Sequence, residues 1–228
     1  VGHCREFFIS GGGMEVDIIS FDIDGTLIDH NYNDLIWYQA LPEELAKKEK
    51  ITFDQALKTV KEEYDRVGER DYRWYDIKYW IKFFQLDIDY NKLLHKYEQE
   101  VRIFPEVPLV LSELVQKYHL ICVSAMPREF MDIKLKRIRT YFQETFSTLS
   151  DYKQLKNKEI FTQIDHTLKV EPQRILHVGD HEQYGYRAAL EAGWNVLLID
   201  RYCSGFQEKY PDSVIYSLSD IINIIDIK

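Results

Sequence analysis

The sequence predicts an α/β protein in which a parallel sheet carries a long helical insertion. Two observations lead to this fold class. In the second half of the chain, short apolar segments bounded by turn residues alternate with segments of helical periodicity, which is typical of a parallel sheet covered by helices on both faces. A similar apolar segment at residues 16–21 is separated from the others by residues 32–104, where helical patterns run without a clear strand.

The elements expected in the α/β part follow from these patterns. The predicted strands are residues 16–21, 119–123, 174–178, 196–199 and 213–216. The predicted helices are residues 108–117, 128–139, 157–168 and 184–192. We expect these segments to form one core domain from residues 14–30 and 105–228. Residues 1–13, with three consecutive glycines, are expected to be a leader or a remnant of cloning, with a native extension as the alternative.

Residues 31–104 are predicted to form a separate helical domain. Thr52 followed by Gln55 is a capping-box signature of a helix start, and Asp89 precedes a further apolar stripe at helical spacing. About four helices without strands would make a small bundle. An insertion after the first strand would overhang the carboxyl ends of the strands, where open α/β sheets bind their ligands.

The composition favours a globular protein and argues against several classes of partner. The 228 residues are 45% hydrophobic and carry a formal net charge of −9, so neither a nucleic acid nor an anionic membrane is an expected partner. No apolar run reaches the ~18 residues of a membrane span. Cys4, Cys122 and Cys203 are odd in number and far apart. They do not suggest a disulfide framework, and we expect a cytoplasmic protein.

Two carboxylates directly after the first strand form a candidate site for phosphate chemistry. Asp22 and Asp24 are two residues apart, so they repel each other unless a cation offsets their charge. Mg²⁺ is a hard cation that takes oxygen ligands. Beside it, one aspartate would attack phosphorus and the other would protonate the leaving alcohol. The ordinary alternative is a strand end followed by a turn, where Asp and Gly are common.

Three segments together resemble the haloacid dehalogenase superfamily, in its phosphatase branch with a helical, C1-type cap. Residues 21–28 (FDIDGTLI), 120–125 (LICVSA) and 175–180 (ILHVGD) resemble its first, second and fourth signatures. The small residues Ala188, Ala189, Ala192 and Gly193 fit the helix that the family places after the fourth. The order and spacing match over residues 14–228. The resemblance implies a Rossmann-like parallel-sheet core with an inserted α-helical cap domain.

The resemblance also implies a role for each residue that matches a signature. Asp22 would be the nucleophile and a Mg²⁺ ligand. Asp24 would be the general acid/base, with its backbone carbonyl on the metal. Ser124 and the backbone N–H of Ala125 would hold the phosphoryl oxygens, and Asp180 would complete the metal site.

The third signature is a lysine, which offsets the charge of the nucleophile and of the phosphate. Lys153, Lys156 and Lys158 all precede the helix start at Ile160. The proline that often follows this lysine in relatives is absent here. Lys156 has the best spacing and is the predicted catalytic lysine, with Lys158 second and Lys153 as the remaining alternative.

The fourth signature departs from the common pattern. Many relatives carry a second acidic residue where this chain has Tyr184 and Gly185. Glu182 is expected either as a direct or water-mediated metal ligand or, as is commoner, as a solvated loop glutamate. His177 lies in an apolar segment and is interpreted as a core histidine without a catalytic role.

Aromatic residues are frequent in the insertion, and most of them are expected to belong to its core. They are Trp37, Tyr38, Tyr72, Trp74, Tyr75, Tyr79 and Trp80. Residues 70–75 are polar and aromatic and lie between two predicted helices. We expect this segment to face the site and to select substrates.

The predicted function is Mg²⁺-dependent hydrolysis of a small-molecule phosphate ester through an aspartyl-phosphate, by a monomer or weak homodimer. A phosphomutase would use the same carboxylates. A haloacid dehalogenase would not need Asp24, because halide leaves without a proton, and no imine-forming lysine of a phosphonatase is identified in the insertion. A non-catalytic interaction protein on this fold is the alternative from another class, and only the altered fourth signature favours it.

Overall fold

Six parallel strands form one sheet. The computed structural model describes residues 15–225, so the expectation for residues 1–13 lies outside the described residues. The strands are β1 (Ile18–Phe21), β2 (His119–Ser124), β3 (Glu144–Ser147), β4 (Ile175–Gly179), β5 (Asn195–Ile199) and β6 (Val214–Ile215). Their spatial order is β3-β2-β1-β4-β5-β6, and every pairing is parallel. The predicted α/β fold class is confirmed.

Helices surround this sheet and connect its strands. They are α1 (Asn31–Leu35), α2 (Leu41–Glu49), α3 (Phe53–Val67), α4 (Ile77–Phe83), α5 (Tyr90–Lys96), α6 (Val107–Leu114), α7 (Arg128–Leu135), α8 (Lys158–Leu168), α9 (Ala188–Glu191), α10 (Phe206–Lys209) and α11 (Ser219–Ile225). One π-helical turn, Ile36–Ala40, joins α1 to α2. Across residues 15–225, every helix is too short or too polar to cross a bilayer.

Alternation along the strands sends side chains into two hydrophobic clusters. In β1, Ile18 and Ile19 pack into different clusters, and in β2 Leu120 and Ile121 do the same, because successive strand residues point to opposite faces. Helices α8 and α9 contribute to one cluster, and α6, α7 and α11 to the other. Burial on both faces explains why these strands are almost continuously apolar in sequence.

Residues 31–104 contain five α-helices, α1–α5, one more than the approximate number expected. The predicted capping box begins α3: the Thr52 side chain accepts from the backbone N–H of Gln55, whose side chain accepts from the N–H of Thr52. Trp80 of α4 and Phe21 of β1 belong to the same hydrophobic cluster. The insertion therefore packs continuously with one face of the sheet, and its status as a separate domain stays a prediction.

The two connections between the sheet and the insertion pair with each other. Ile28 and Ile103 form an antiparallel bridge. The backbone N–H of Phe104 donates to the carbonyl oxygen of Leu27 at 3.1 Å. The chain therefore leaves the sheet region and returns to it along two adjacent segments.

Arg201, which follows β5, holds both connections. Its guanidinium donates to the carbonyl oxygen of Thr26 at 2.6 Å and to the carboxylate of Glu106 at 2.7 Å. It also lies 3.7 Å from the ring centroid of Phe104. One cation thus contacts the outgoing and the returning segment together.

The differences from the predicted elements lie mainly at the sheet edges. Strand β3 is not predicted, because three of its four residues (ETFS) are polar and it lies at the edge of the sheet. Helices α10 and α11 are not predicted either, and β6 is shorter than residues 213–216. The predicted helix at residues 184–192 begins as a π-helical turn, Glu182–Arg187, before the short α9.

Candidate active site

Three predicted site residues meet at one edge of the sheet. Strand β1 pairs in register with β2 on one side and with β4 on the other. The carboxyl ends of parallel strands lie at the same edge, so Asp22, Ser124 and Asp180 come together there. All three line one cavity of about 310 Å³, and Ala125 lines it beside Ser124.

Lys156 is the lysine that contacts the predicted nucleophile. Its Nζ donates a hydrogen bond to Oδ2 of Asp22, and the lysine side chain is 2% exposed. The backbone N–H of Ile23 donates to Oδ1 of Asp22 at 2.8 Å. Burial alone raises the pKa of Asp22, but Lys156 and a hydrogen bond from Ser124 outweigh it, so the pKa lies below its usual value. Asp22 is therefore held as a carboxylate, the form that attacks phosphorus.

Asp24 is held by two side chains that sequence reasoning missed. Lys134 Nζ donates to Oδ1 of Asp24, and Asn33 Nδ2 donates to Oδ2 at 2.8 Å. Lys134 also donates to Oδ1 of Asn33 at 2.6 Å, which closes a triangle of hydrogen bonds. Burial lowers the pKa of Lys134, and the charge of Asp24 opposes this effect.

Asp180 packs against the turn that follows Asp24. Gly25 has φ +65°, and a Cβ at this position would lie 1.9 Å from Oδ2 of Asp180. Only glycine fits here, because both the backbone conformation and the contact exclude a side chain. Burial, followed by the nearby charge of Asp22, raises the pKa of Asp180 to about 8. The charge of Asp22 thus opposes the ionisation of Asp180 at this edge of the sheet.

The donor set at this edge fits Mg²⁺. Within residues 15–225, no three His, Cys, Asp or Glu side chains form a complete cage for an ion. Mg²⁺ commonly keeps several waters and takes one or two protein carboxylates. Asp22 and Asp180 supply two carboxylates on one cavity, and their mutual repulsion is the kind that a divalent cation relieves.

Aromatic side chains of the insertion form the other wall of this cavity. Trp37, Tyr38, Trp74 and Tyr75 all line it. Trp80 is fully buried in the hydrophobic cluster, as expected, so the prediction that most of these aromatic residues are core holds only in part. The insertion therefore lines the cavity with four aromatic rings, together with the polar side chains of Asn33, Asp34 and Glu69.

A second, wider cleft of about 760 Å³ adjoins the cavity. Arg70 and Tyr72 line it from the insertion, and Lys153 lines it from the loop before α8. Lys156 and Tyr184 line both the cleft and the cavity. Segment 70–75 thus lies beside the site. Its first residues, Arg70 and Tyr72, line the cleft, and its last residues, Trp74 and Tyr75, line the cavity.

Three further residues considered in the sequence make no hydrogen bond to Asp22 within residues 15–225. Lys158 is the exposed first residue of α8. Glu182 accepts hydrogen bonds from Lys209 at 2.6 Å and from the Tyr210 hydroxyl at 2.9 Å, so its carboxylate is already engaged outside the cavity. His177 lies in the core, as expected, with Nδ1 2.9 Å from the Ser20 hydroxyl.

A pattern in the sequence would have identified Lys134. Phe130, Lys134 and Ile138 are spaced four residues apart, and all three are buried. A lysine in a row that helical periodicity assigns to the core needs a buried acceptor. No local pattern would have found Asn33, because its contact with Lys134 joins residues 101 positions apart.

The site combines a strand-end carboxylate pair, a buried lysine and a neighbouring aspartate at one edge of a parallel sheet. This combination is that of a hydrolase with a carboxylate nucleophile. A family model described as haloacid dehalogenase-like hydrolase matches residues 16–193, a range that includes all these groups. The chain belongs to this family.

Solved structures of similar proteins have the same fold. A HAD phosphatase from Thermococcus onnurineus is similar with a TM-score of 0.83 and 25% identity, over 92% of this chain and 98% of that chain. The putative HAD-hydrolase YfnB from Bacillus subtilis, described as bound to magnesium, has a TM-score of 0.61 and 17% identity, over 93% and 100%. That second likeness shows the fold alone.

One curated relative matches over a shorter segment. The GMP/IMP nucleotidase YrfG of Escherichia coli (strain K12) is 31% identical over 75 residues. The match covers 33% of this chain and 33% of that protein.

Proposed function

We propose that this protein is a Mg²⁺-dependent phosphatase that hydrolyses small phosphomonoesters through an aspartyl-phosphate on Asp22. The observation that carries the proposal is the contact of buried Lys156 with Asp22. Asp24, two residues later in the chain, has separate partners, Lys134 and Asn33. A nucleophile and an acid/base group with different partners are what two-step phosphoryl transfer needs.

In the first step, a carboxylate oxygen of Asp22 attacks phosphorus and the bond to the leaving oxygen breaks. Asp24 in its protonated form gives its proton to that oxygen, so the alcohol leaves neutral. Asp24 then takes a proton from water, and the oxygen of that water attacks phosphorus. The bond to Asp22 breaks, and inorganic phosphate is released.

The other groups of the site are proposed to bind the phosphoryl group or the metal. Lys156 offsets the charge of Asp22 and of the transferring phosphoryl group. Ser124 and the backbone N–H of Ala125 hold phosphoryl oxygens. Asp22, Asp180 and the backbone carbonyl of Asp24 would hold Mg²⁺, which supplies further neutralisation of the phosphate charge when bound.

The helical insertion is proposed to act as a cap of the C1 type that selects the leaving group. Its aromatic residues line the same cavity as the carboxylates, so a leaving group bound there would contact both parts of the chain. The short match to a GMP/IMP nucleotidase makes nucleoside monophosphates worth including among the substrates. We propose a cytoplasmic monomer or weak homodimer as the working form.

Asp24 argues against a haloacid dehalogenase. Halide leaves without a proton, so that reaction has no use for a second carboxyl group held in place by Lys134 and Asn33. The same pair of carboxylates argues against a non-catalytic protein, because a site without chemistry has no need for repelling acids.

The decisive experiment is hydrolysis of p-nitrophenyl phosphate with Mg²⁺ and with excess chelator, followed by a panel of phosphomonoesters. We expect activity only with Mg²⁺, its recovery when Mg²⁺ is added back, and activity at background for Asp22→Asn. A phosphoenzyme should be trapped by acid quenching in the wild type and not in Asp22→Asn. Equal turnover in chelator would contradict the metal assignment, and an active Asp22→Asn would contradict the mechanism.

A further inference from the structure

Lys134 is a buried lysine outside the family signatures that contacts a proposed catalytic residue. Its side chain is 0% exposed. It lies on α7, the helix that follows the Ser124 strand end, and its Nζ donates to Oδ1 of Asp24. A cation in this position is expected only where a partner compensates for the loss of water.

Asn33 completes the arrangement from the insertion. Its amide nitrogen donates to Oδ2 of Asp24 at 2.8 Å, and its amide oxygen accepts from Lys134 at 2.6 Å. Each Asp24 oxygen therefore has one fixed donor. A carboxylate oxygen has two lone pairs, so each oxygen keeps one acceptor site for a proton or a substrate atom.

We propose that Lys134, together with Asn33, is a positioning residue that fixes the carboxyl group of Asp24 for proton transfer; this inference rests on the proposed phosphatase function. The Asp24 side chain is 23% exposed and borders the cavity, and within residues 15–225 its carboxylate oxygens are hydrogen-bonded by the side chains of Lys134 and Asn33. Lys134 contacts Asp24 rather than the phosphate, and its effect on catalysis passes through Asp24.

The leaving group provides a readout that separates positioning from a structural role. A good leaving group such as p-nitrophenolate needs little protonation, whereas an alkyl alkoxide needs much. The kcat/KM value reports formation of the phosphoenzyme. Displacing Asp24 should therefore lower kcat/KM for an alkyl phosphate and spare most of it for p-nitrophenyl phosphate.

The test variant is Lys134→Met, which keeps the length of the side chain and removes the charge. We expect kcat/KM to fall about tenfold or more on an alkyl phosphate and less than about threefold on p-nitrophenyl phosphate, mostly through kcat. The matched control is Lys136→Met on the same segment, where the lysine is 66% exposed and pairs with Glu98. It should leave both substrates unchanged.

A double-mutant cycle tests whether Lys134 acts through Asp24. In an Asp24→Asn background, Lys134→Met should cause no further loss of kcat/KM beyond about twofold, because the positioned group is already absent. An equal loss on both substrates, or a further loss that adds to that of Asp24→Asn, would overturn the proposal.

A second variant covers the case in which Lys134→Met does not fold. Asn33→Ala removes the other donor without changing a buried charge and should give the same leaving-group trend. Uniform loss across both substrates in this variant would also overturn the proposal. Failure of the phosphatase function itself would be recognised separately, by a wild-type protein that hydrolyses neither substrate or by an active Asp22→Asn.

Discussion

Lys156 and Lys158 are two positions apart but lie in different environments. Lys156 is buried on Asp22, whereas Lys158 is exposed at the start of α8. Lys156→Met should lower kcat/KM by about 10²-fold or more, on the scale of one lost electrostatic stabiliser. Lys158→Met is the matched control and should stay within about twofold. The measurement is kcat/KM of both variants on p-nitrophenyl phosphate. A larger loss in Lys158→Met than in Lys156→Met would show that the third signature is misplaced.

His177 couples stability to pH. Burial, followed by the charge of Lys156, lowers the pKa of His177 from its usual 6.5 to about 3. Between these values the unfolded chain binds the proton and the folded chain does not, so stability is lost as pH falls from about 6.5 toward 3. At pH 5 the loss from this group is about 2 kcal/mol relative to neutral pH.

The measurement is urea unfolding at pH 7 and pH 5. His177→Asn keeps an acceptor near the Ser20 hydroxyl and removes the titrating ring. It should be less stable at pH 7 but lose about 2 kcal/mol less than the wild type on going to pH 5. His166→Asn, at an 80% exposed side chain, should keep the wild-type difference. An unchanged pH difference in His177→Asn would contradict the assignment.

The connection between α3 and α4 holds two arginines with different surroundings. Arg73 donates hydrogen bonds to both carboxylate oxygens of Asp71, whereas Arg70 lines the wider cleft. Arg70→Gln should change the ratio of kcat/KM for a nucleoside monophosphate to that for p-nitrophenyl phosphate by about fivefold, the effect of roughly 1 kcal/mol. Arg73→Gln, from the same connection, should leave the ratio unchanged. Equal losses on both substrates would indicate damage to folding instead.

At the scale of elements, the sequence predicts what a single local pattern determines. The strands that precede Asp22 and Asp180, and the strand that ends at Ser124, are almost continuously apolar because both their faces are buried, so they are visible in the sequence. Strand β3 has no such pattern and is defined only by its pairing with β2. The same limit applies to side chains. Spacing selects Lys156, but the contacts of Asn33 form only once α1 lies beside Asp24 and α7.

Arg201 is predicted to stabilise the whole molecule, because it holds both connections of the insertion. Arg201→Ala would remove three contacts at once and leave Glu106 without its cation. We expect the free energy of unfolding to fall by about 2–3 kcal/mol, measured by denaturant titration. Arg102→Ala is the control on the returning connection, since Arg102 is 61% exposed and pairs with Glu100 at 3.5 Å. It should cost less than about 0.5 kcal/mol, and equal costs would contradict the special role of Arg201.

The paired connections also make the insertion exchangeable. Since Ile28 and Ile103 lie opposite each other, the α/β part sets no limit on how many residues loop out between them. A transplanted helical segment would need only two ends that meet at this bridge and an apolar surface to replace the one that α1–α5 present to the sheet. Asp22, Asp24, Ser124 and Asp180 would remain in such a chimera, and the new segment would have to supply a donor in place of Asn33. With that donor kept, this chain is a suitable scaffold for grafting new substrate selectivity onto the proposed phosphate chemistry.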